Sequence, residues 1–193
     1  MSKKGWIITG VVGFLFLFLI IMPGCVAFKS YNQLVILNET IDSSWAQVDN
    51  VLQRRYDLIP NLVNTVKGYA KHESQLLEEV TRLRSQWGAA KTPDQKIQAS
   101  QGLEGALSRL MVVVEQYPNL KANEGFLKLQ DELSGTENRI AVERMRYNEV
   151  VRSYNVETRR FPSNIIAGMF GFQKKDVYFE AAEGAKTAPK VEF

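Results

Sequence analysis

The chain has 193 residues, 45% hydrophobic and 23% charged, which allows one soluble domain and a membrane segment. Its 24 basic and 21 acidic side chains are interspersed, as in the run Glu143-Arg144-Met145-Arg146. Nucleic-acid binding requires a clustered basic face with stacking aromatic residues. This pattern instead predicts a solvated helix surface and no nucleic-acid partner.

The N-terminus combines a basic start with an apolar segment. Lys3 and Lys4 precede an apolar run of 17 residues, from Trp6 to Met22. This length is at the short end for a transmembrane helix and slightly long for the core of a cleaved signal peptide. We predict a single-pass membrane anchor over residues 1–28. Because the two lysines favour a cytoplasmic N-terminus, the following domain is expected to be exported.

Cys25, the only cysteine, offers a second mode of attachment. It follows Gly24, as the acylated cysteine of a bacterial lipoprotein signal follows a small residue, although Met22 and Pro23 are poor matches at the preceding positions. Two acyl chains would hold the protein stably at the membrane. Three alternatives stay open: an uncleaved helix, lipidation at Cys25, and a thiol without a role. Under each of them the exported part has no disulfide.

The first predicted helices share one apolar stripe. Its members recur on average about every 3.6 residues, the period of an amphipathic α-helix. They are Leu34, Leu37, Ile41, Trp45, Val48, Leu52, Tyr56, Ile59, Val63, Val66 and Ala70. Pro60 lies inside the stripe without shifting its phase, so we predict one helical unit over 29–59 and another from Pro60 to Trp87. The two units would form one helix kinked at Pro60 or two nearly collinear helices.

A helix start follows the loop at residues 88–91. Thr92 can cap the helix, Pro93 fits its first turn, and Gln95 can close a capping box. The third helix is predicted to run to about Gln116, because the residue before Pro118 resists helical geometry.

A seven-residue repeat of large apolar side chains marks the longest later helix, predicted over 119–160. The repeat is Phe126, Leu133, Ile140, Tyr147, Tyr154 and Phe161. A short helix capped by Ser163 is predicted after Pro162, and the tail over 181–193 is expected to be disordered. The sequence therefore predicts an all-α domain over 29–180. This domain would form an elongated antiparallel bundle of about four helices behind the membrane segment.

Several blocks of the chain resemble the LemA family of bacterial membrane-anchored helical proteins. They are Tyr31–Val35, Trp45–Asp49, Gln53–Val63, Glu137–Val142, Tyr147–Asn155, Phe161–Ala167 and Phe170–Phe172, and the similarity covers about Tyr31 to Ala181. The resemblance implies a single-pass or lipid-anchored protein of the cell envelope, with an antiparallel helical bundle and no established catalytic site. One branch of the family includes proteins of the magnetosome membrane, so the resemblance also implies a role in membrane organisation. It supplies no functional residues.

Catalytic and metal-binding patterns are missing from the sequence. His72 is the only histidine, and Leu76 stands where a zinc-protease helix would carry its second histidine. No serine-hydrolase elbow and no phosphate-binding glycine loop is present. We therefore expect neither an enzyme nor a cofactor.

Polar residues beside the apolar stripes are the first candidate binding site. They are Arg54, Asn61, Asn64, Asn138, Arg139, Asn148, Arg152 and Asn155. They could line a groove for a peptide or a lipid headgroup, or they could form interhelical hydrogen bonds that fix the register of the bundle. The second interpretation is favoured, because single buried polar residues fix the register of coiled coils in this way.

An apolar cluster near the C-terminus is the second candidate. It contains Phe161, Ile165, Ile166, Met169, Phe170 and Phe172. These side chains could cap the core of the bundle, or form an exposed patch for a partner or a membrane. In an upright rod one end would lie far from the bilayer, which favours a protein partner over the membrane.

The sequence thus predicts a non-enzymatic, membrane-anchored helical scaffold or adaptor of the bacterial envelope, presenting a long helical surface to a protein partner. One alternative is a membrane-organising protein that acts by self-association. Another is a module that binds a peptide or a lipid.

Overall fold

The computed structural model describes the backbone of residues 3–179 and the side chains of residues 12–14, 18, 19 and 21–179. All regular structure in 3–179 is helical, which confirms the all-α prediction. The predicted disordered tail over 181–193 lies outside the described residues.

Six α-helices and one 3-10 turn form the described part of the chain. The helices are α1 (Lys3–Tyr69), α2 (Ser74–Ala89), α3 (Pro93–Val114), α4 (Pro118–Lys121), α5 (Glu124–Glu157) and α6 (Ser163–Phe170). The 3-10 turn, Lys71–Glu73, joins α1 to α2. Residues 172–179, here called the C-terminal segment, follow α6 without regular secondary structure.

The chain divides into two compact units. Among the described residues, the first unit consists of 3–42 and 149–176, and the second of 43–148 and 177–179. Helices α1 and α5 each contribute residues to both units.

The apolar stripe of α1 is confirmed; of the two alternatives predicted at Pro60, a single helix through the proline holds and a junction between two helices is wrong. All eleven predicted stripe residues are buried or half-buried. The helix continues through Pro60 to Tyr69, and the chain leaves helical geometry only at Ala70, with φ −117° and ψ 63°. Pro60 deprives the Tyr56 carbonyl of its helical donor, and the Arg84 Nε of α2 donates to that oxygen at 3.0 Å. The helix can therefore tolerate the proline.

Helix α2 runs back along α1 in the second unit instead of extending it. Trp87 stacks on Tyr56, with ring centroids 3.8 Å apart and an interplanar angle of 22°. These residues stand at similar distances along the chain on either side of Ala70, so the two helices are antiparallel. The prediction of two nearly collinear helices is wrong because a helical period is the same whether the chain continues or reverses.

Helix α3 begins as predicted. The Thr92 side chain accepts a hydrogen bond from Gln95 N at 3.3 Å, and Pro93 occupies the first turn. Gln95 Oε1 in turn accepts from Lys91 N at 3.0 Å. This reciprocal pair is a variant of the predicted capping box.

The long later helix is interrupted near its predicted start. Helix α4 ends at Lys121, and Asn123 Oδ1 accepts from Phe126 N at 3.0 Å, which caps the beginning of α5. The heptad residues in α5 are all buried: Phe126, Leu133, Ile140, Tyr147 and Tyr154. Phe161, the predicted last member, is 75% exposed because α5 ends at Glu157.

Helix α6 belongs to the first unit. Ser163 does not cap it as predicted; its hydroxyl donates to the Glu157 carboxylate and lies 3.2 Å from the hydroxyl of Ser30 in α1. The helix ends at Gly171, whose φ of 77° favours glycine, and Phe172 N donates to Ala167 O at 2.9 Å.

The predicted membrane anchor forms the beginning of α1. Among the helices described within residues 3–179, none has both the length and the apolarity needed to cross a membrane. The predicted apolar run rises only about 26 Å, against about 30 Å for a hydrocarbon core. The single-pass prediction is therefore not confirmed by the structure.

Candidate functional site

Asn148 holds the backbone of Phe179 through two hydrogen bonds in the second unit. Its Nδ2 donates to the Phe179 carbonyl at 2.9 Å, and Phe179 N donates to Asn148 Oδ1 at 3.0 Å. One side-chain amide thus satisfies both main-chain groups of a residue, as a neighbouring antiparallel strand would. Because only the backbone is bound, this contact does not depend on the side chain of the residue held.

The ring of Phe179 occupies a pocket lined by aromatic and basic side chains. Trp45 lies parallel to it, with centroids 5.9 Å apart and an angle of 16°, and Tyr147 meets it edge-on at 5.8 Å. The Arg144 guanidinium lies 4.9 Å from the ring centroid. We call Trp45, Arg144, Tyr147 and Asn148 the Phe179 socket. Together they hold one aromatic side chain and its backbone.

Asn155 makes the same kind of contact in the first unit. Its Nδ2 donates to Lys175 O at 2.7 Å, and Lys175 N donates to its Oδ1 at 2.9 Å. Both asparagines were predicted either to line a peptide groove or to bond between helices. The bonds described here are those that the groove interpretation requires, with the protein's own C-terminal segment as the occupant. A role in binding a separate partner stays a prediction.

A network of charged side chains lies beside the socket in the second unit. Arg55 of α1 pairs with Glu137 of α5, and its Nη1 is 3.9 Å from Glu104 Oε1 of α3. Arg144 of α5 pairs with Glu104 and lies 3.5 Å from the hydroxyl of Ser100. The network therefore links three helices through two arginine–glutamate pairs.

The arginines of this network are largely buried. The Arg55 and Arg144 side chains are only 12% and 18% exposed, and the Nε atom of each is buried without a hydrogen-bond partner in the described part of the chain. Tyr56 is next to them, and burial raises the pKa of its phenol well above the ordinary range, outweighing the effect of Arg55. At neutral pH Tyr56 is therefore an uncharged member of the core.

The other polar candidates lie at the surface. Arg54, Asn61, Asn138, Arg139 and Arg152 are exposed. Asn138 also borders a cavity of about 290 Å³ together with residues of α3 and α5, including Glu137. The structure therefore separates the two asparagines that hold the C-terminal segment from the rest of the predicted polar set.

The apolar candidates near the C-terminus are mostly exposed. Phe161, Ile165 and Phe170 are exposed, and Ile166 and Phe172 are half-buried. The core-capping interpretation is therefore wrong for the first three. Cys25 is also exposed on α1, and its acylation stays a prediction.

Arg55 lies in the charged network although only its neighbour Arg54 was predicted as a site residue, and the sequence carries a signal for Arg55. Arg55 follows Leu52 by three residues and precedes Ile59 by four, which places it on the buried face of α1. Arg54 lies about 100° away around the helix, toward solvent. Phe179 and Trp45 carried no comparable signal, because nothing in the local pattern pairs them.

Metal binding has no support in the described part of the chain. Within residues 3–179, no three histidine, cysteine, aspartate or glutamate side chains are placed to hold a metal ion.

Comparison with known proteins identifies the family. The sequence model of the LemA family matches residues 44–193. The chain belongs to the LemA family. This confirms the predicted resemblance; the match begins at residue 44, later than the predicted start near Tyr31, and runs to residue 193.

Individual relatives within the LemA family are distant. The chain is 27% identical over 180 residues to magnetosome protein MamQ 1 of Paramagnetospirillum magneticum and 26% identical over 183 residues to MamQ of Magnetospirillum gryphiswaldense. Each alignment covers 80% of this chain and 66% of the relative. It is also 27% identical over 194 residues to protein LemA of Metamycoplasma hominis, covering 94% of this chain and 85% of that protein. The chain thus spans just under two thirds of the magnetosome relatives it matches.

Proposed function

We propose that this LemA-family protein is a non-enzymatic, membrane-attached scaffold of the bacterial cell envelope whose helical domain binds another envelope protein. The observation that carries the proposal is the composition of α1. Large apolar side chains are exposed along its first part: Val12, Phe14, Phe18, Leu19, Ile21, Met22, Val26 and Phe28. From Leu34 onward the residues of the apolar stripe of the same helix are buried or half-buried in the folded domain, although Ile36 and Tyr69 outside that stripe are exposed.

The exposed apolar side chains of α1 are expected to be shielded from water by another apolar surface. At about 100° per residue they extend around more than half of the circumference of α1. The apolar stripe of a helix on a protein surface is narrower, so this segment is expected to be covered by a protein core or a membrane. A bilayer fits because the segment follows the basic start of the chain. A helix unbroken from Lys3 to Tyr69 would then join the attachment directly to the domain.

The proposed orientation follows from the charged residues around the segment. Lys3 and Lys4 favour a cytoplasmic N-terminus, which would place the helical domain on the exported side. Residues 1–28 would serve as a single-pass anchor. Acylation of the exposed Cys25 is the alternative form of attachment.

The charge network supports a structural role in preference to a catalytic one. The two buried arginines are each paired with a glutamate, so the charged groups are used in holding three helices together. A catalytic constellation would leave an acid, base or nucleophile free to reach a substrate. We therefore propose no reaction for this protein.

An apolar groove between α2 and α3 is the proposed face for the protein partner. Leu76, Val112 and Val113 line it together with Arg109, and its volume is about 450 Å³. Val112 is 67% exposed although it lies within an apolar run of three valines. A groove between two packed helices suits an amphipathic helix of a partner.

Site-specific crosslinking of the full-length protein in intact cells tests this proposal. A photo-crosslinking amino acid at Val112 is expected to give adducts with one other envelope protein. The same group at Gln101, an exposed polar position of α3, is the matched control. Adducts confined to copies of this protein would contradict the adaptor proposal and support the alternative of a self-associating protein. Equal yields at both positions would show that the groove is not the partner face.

A second candidate, a peptide-binding module, is favoured by the Phe179 socket. A full-length Phe179→Pro variant loses both the ring and the N–H that donates to Asn148 Oδ1, so it should leave the socket open to a labelled peptide with the sequence of residues 172–179, FQKKDVYF. Fluorescence polarisation would measure the binding. Adding Asn148→Leu should abolish it, because the peptide backbone loses both hydrogen bonds. No binding to the Phe179→Pro variant would remove this candidate.

A further inference from the structure

Helix α6 and Phe161, which precedes it by two residues, present apolar side chains outward. Phe161, Ile165, Met169 and Phe170 are 75%, 52%, 73% and 60% exposed, whereas Ser163 and Ala167 are the buried residues of α6. We call these four exposed residues the α6 patch. Exposing two phenylalanines, an isoleucine and a methionine to water is unfavourable, so the patch needs an apolar surface to cover it.

Contacts within the first unit place this patch beside the exposed apolar part of α1. The hydroxyl of Ser163 lies 3.2 Å from that of Ser30, and the Phe170 and Tyr31 rings have centroids 4.8 Å apart. Ser30 follows Met22, the last residue of the apolar run, by eight residues, which is about 12 Å along a helix. The exposed ring of Phe28 lies in between. The α6 patch is thus near the level where the apolar segment ends.

Basic side chains accompany the patch. Arg159 and Arg160 immediately precede Phe161, and Lys29 stands next to Ser30; all three are exposed. The nearby carboxylate of Glu157 accepts a hydrogen bond from the Ser163 hydroxyl. Large apolar side chains with flanking lysines and arginines are typical of helices that lie in the interface of an anionic bilayer.

We propose that the α6 patch inserts into the headgroup region of the membrane that holds residues 1–28, so that the first unit contacts the lipid surface at two places. The proposal rests on the membrane attachment proposed above. It replaces the expectation that a protein partner covers these residues, because α6 packs beside the start of the domain and not at a distance from the apolar segment.

Depth-dependent fluorescence quenching of the full-length protein tests the proposal. The protein is reconstituted in vesicles of phosphatidylethanolamine and phosphatidylglycerol that contain spin-labelled lipids. A Cys25→Ser background carries one bimane-labelled cysteine at a time. Leu19→Cys reports on the attachment, Met169→Cys reports on the α6 patch, and Met145→Cys is the matched control, since Met145 is also an exposed methionine, 64% against 73%, but belongs to the second unit.

The proposal predicts strong quenching at positions 19 and 169, with quenching at 169 at least about threefold that at 145. Quenching at 19 together with equal, low quenching at 169 and 145 would overturn the α6 proposal and leave the attachment intact. Low quenching at all three positions would contradict attachment by an uncleaved helix, since the Cys25→Ser background cannot be acylated. A photo-crosslinker at position 169 that captures a protein in cells, in place of lipid, would also overturn the proposal.

Discussion

Arg84 donates from its Nε to the main-chain carbonyl of Tyr56 at 3.0 Å, and this is the carbonyl that Pro60 leaves without a helical donor. The ring of Trp87, three residues after Arg84, stacks on the ring of the same tyrosine. One residue of α1 is therefore held by α2 through both its backbone and its side chain. This explains how a proline can lie within a continuous helix that packs in the core.

Replacing Arg84 should destabilise the protein more when Pro60 is present. Arg84→Met leaves a part-buried carbonyl unpaired and should lower the free energy of unfolding by about 1–3 kcal/mol. Pro60→Ala restores an N–H for that carbonyl, so the loss should be smaller in that background. Urea unfolding of the full-length protein in mild detergent, followed by circular dichroism, measures both losses. Arg82→Met, an exposed change on α2, is the control, and equal losses in the two backgrounds would disprove the coupling.

Asn148→Leu should release the end of the C-terminal segment without unfolding the helices. Two neutral hydrogen bonds at about 1 kcal/mol each correspond to about 30-fold faster amide exchange at Phe179. Hydrogen exchange measured by mass spectrometry on the peptide that contains residues 172–179 tests this. Asn138→Leu, at an exposed position of α5, is the control. If Asn148→Leu instead lowers the unfolding midpoint of the whole bundle, the asparagine acts on helix register.

Arg55→Met should be destabilising, whereas Arg54→Met should not. Arg55 is largely buried and pairs with Glu137, while its neighbour Arg54 is exposed. Breaking a buried ion pair is costly, but Glu137 is 43% exposed and can be partly rehydrated, so we expect a loss of about 1–3 kcal/mol. The exposed substitution should stay within about 0.5 kcal/mol. Equal urea midpoints for the two variants would show that the network does not stabilise the fold.

Tyr56 should make the protein less stable at alkaline pH. Burial raises the pKa of its phenol in the folded state, so the folded protein holds this proton more tightly than the unfolded chain. The stability due to the neutral phenol is fully present below the unfolded pKa of about 10 and is lost as the pH rises above it. Urea midpoints between about pH 8 and 11 should therefore fall less steeply in Tyr56→Phe. Tyr31→Phe is the control at a more exposed position.

A residual alkaline slope is expected in Tyr56→Phe. Burial also raises the pKa of the Tyr154 phenol, and burial together with the Glu73 carboxylate raises that of Tyr117. Unchanged slopes in the Tyr56→Phe protein would show that the Tyr56 phenol reaches solvent before the fold is lost.

Local features of the fold were predictable because they depend on residues a few positions apart. The stripe from Leu34 to Ala70 and the repeat from Phe126 to Tyr154 identify the buried faces of α1 and α5. Thr92, Pro93 and Gln95 predict the start of α3 for the same reason, since a cap involves only the first turn of its own helix. The exposure of Arg54 and the burial of Arg55 also follow from helical geometry, once the stripe is applied residue by residue.

The reversal at Ala70 and the candidate sites depend on the tertiary structure. A periodic stripe is equally compatible with a helix that continues past Pro60 and with one that turns back, so only the contact between Tyr56 and Trp87 reveals the antiparallel pair. Phe161 continues a seven-residue repeat in sequence but lies beyond the end of α5, where that repeat no longer indicates burial.

The sequence by itself determined the helical class, the family and the face that each long helix buries. Only the tertiary structure decided that Asn148 holds a backbone, that Phe179 occupies a socket formed by Trp45 and Tyr147, and that α6 packs beside Ser30. The reason is physical. Helical periodicity and capping depend on neighbours along the chain, whereas these contacts join residues far apart in sequence and exist only once the chain has followed its folded path.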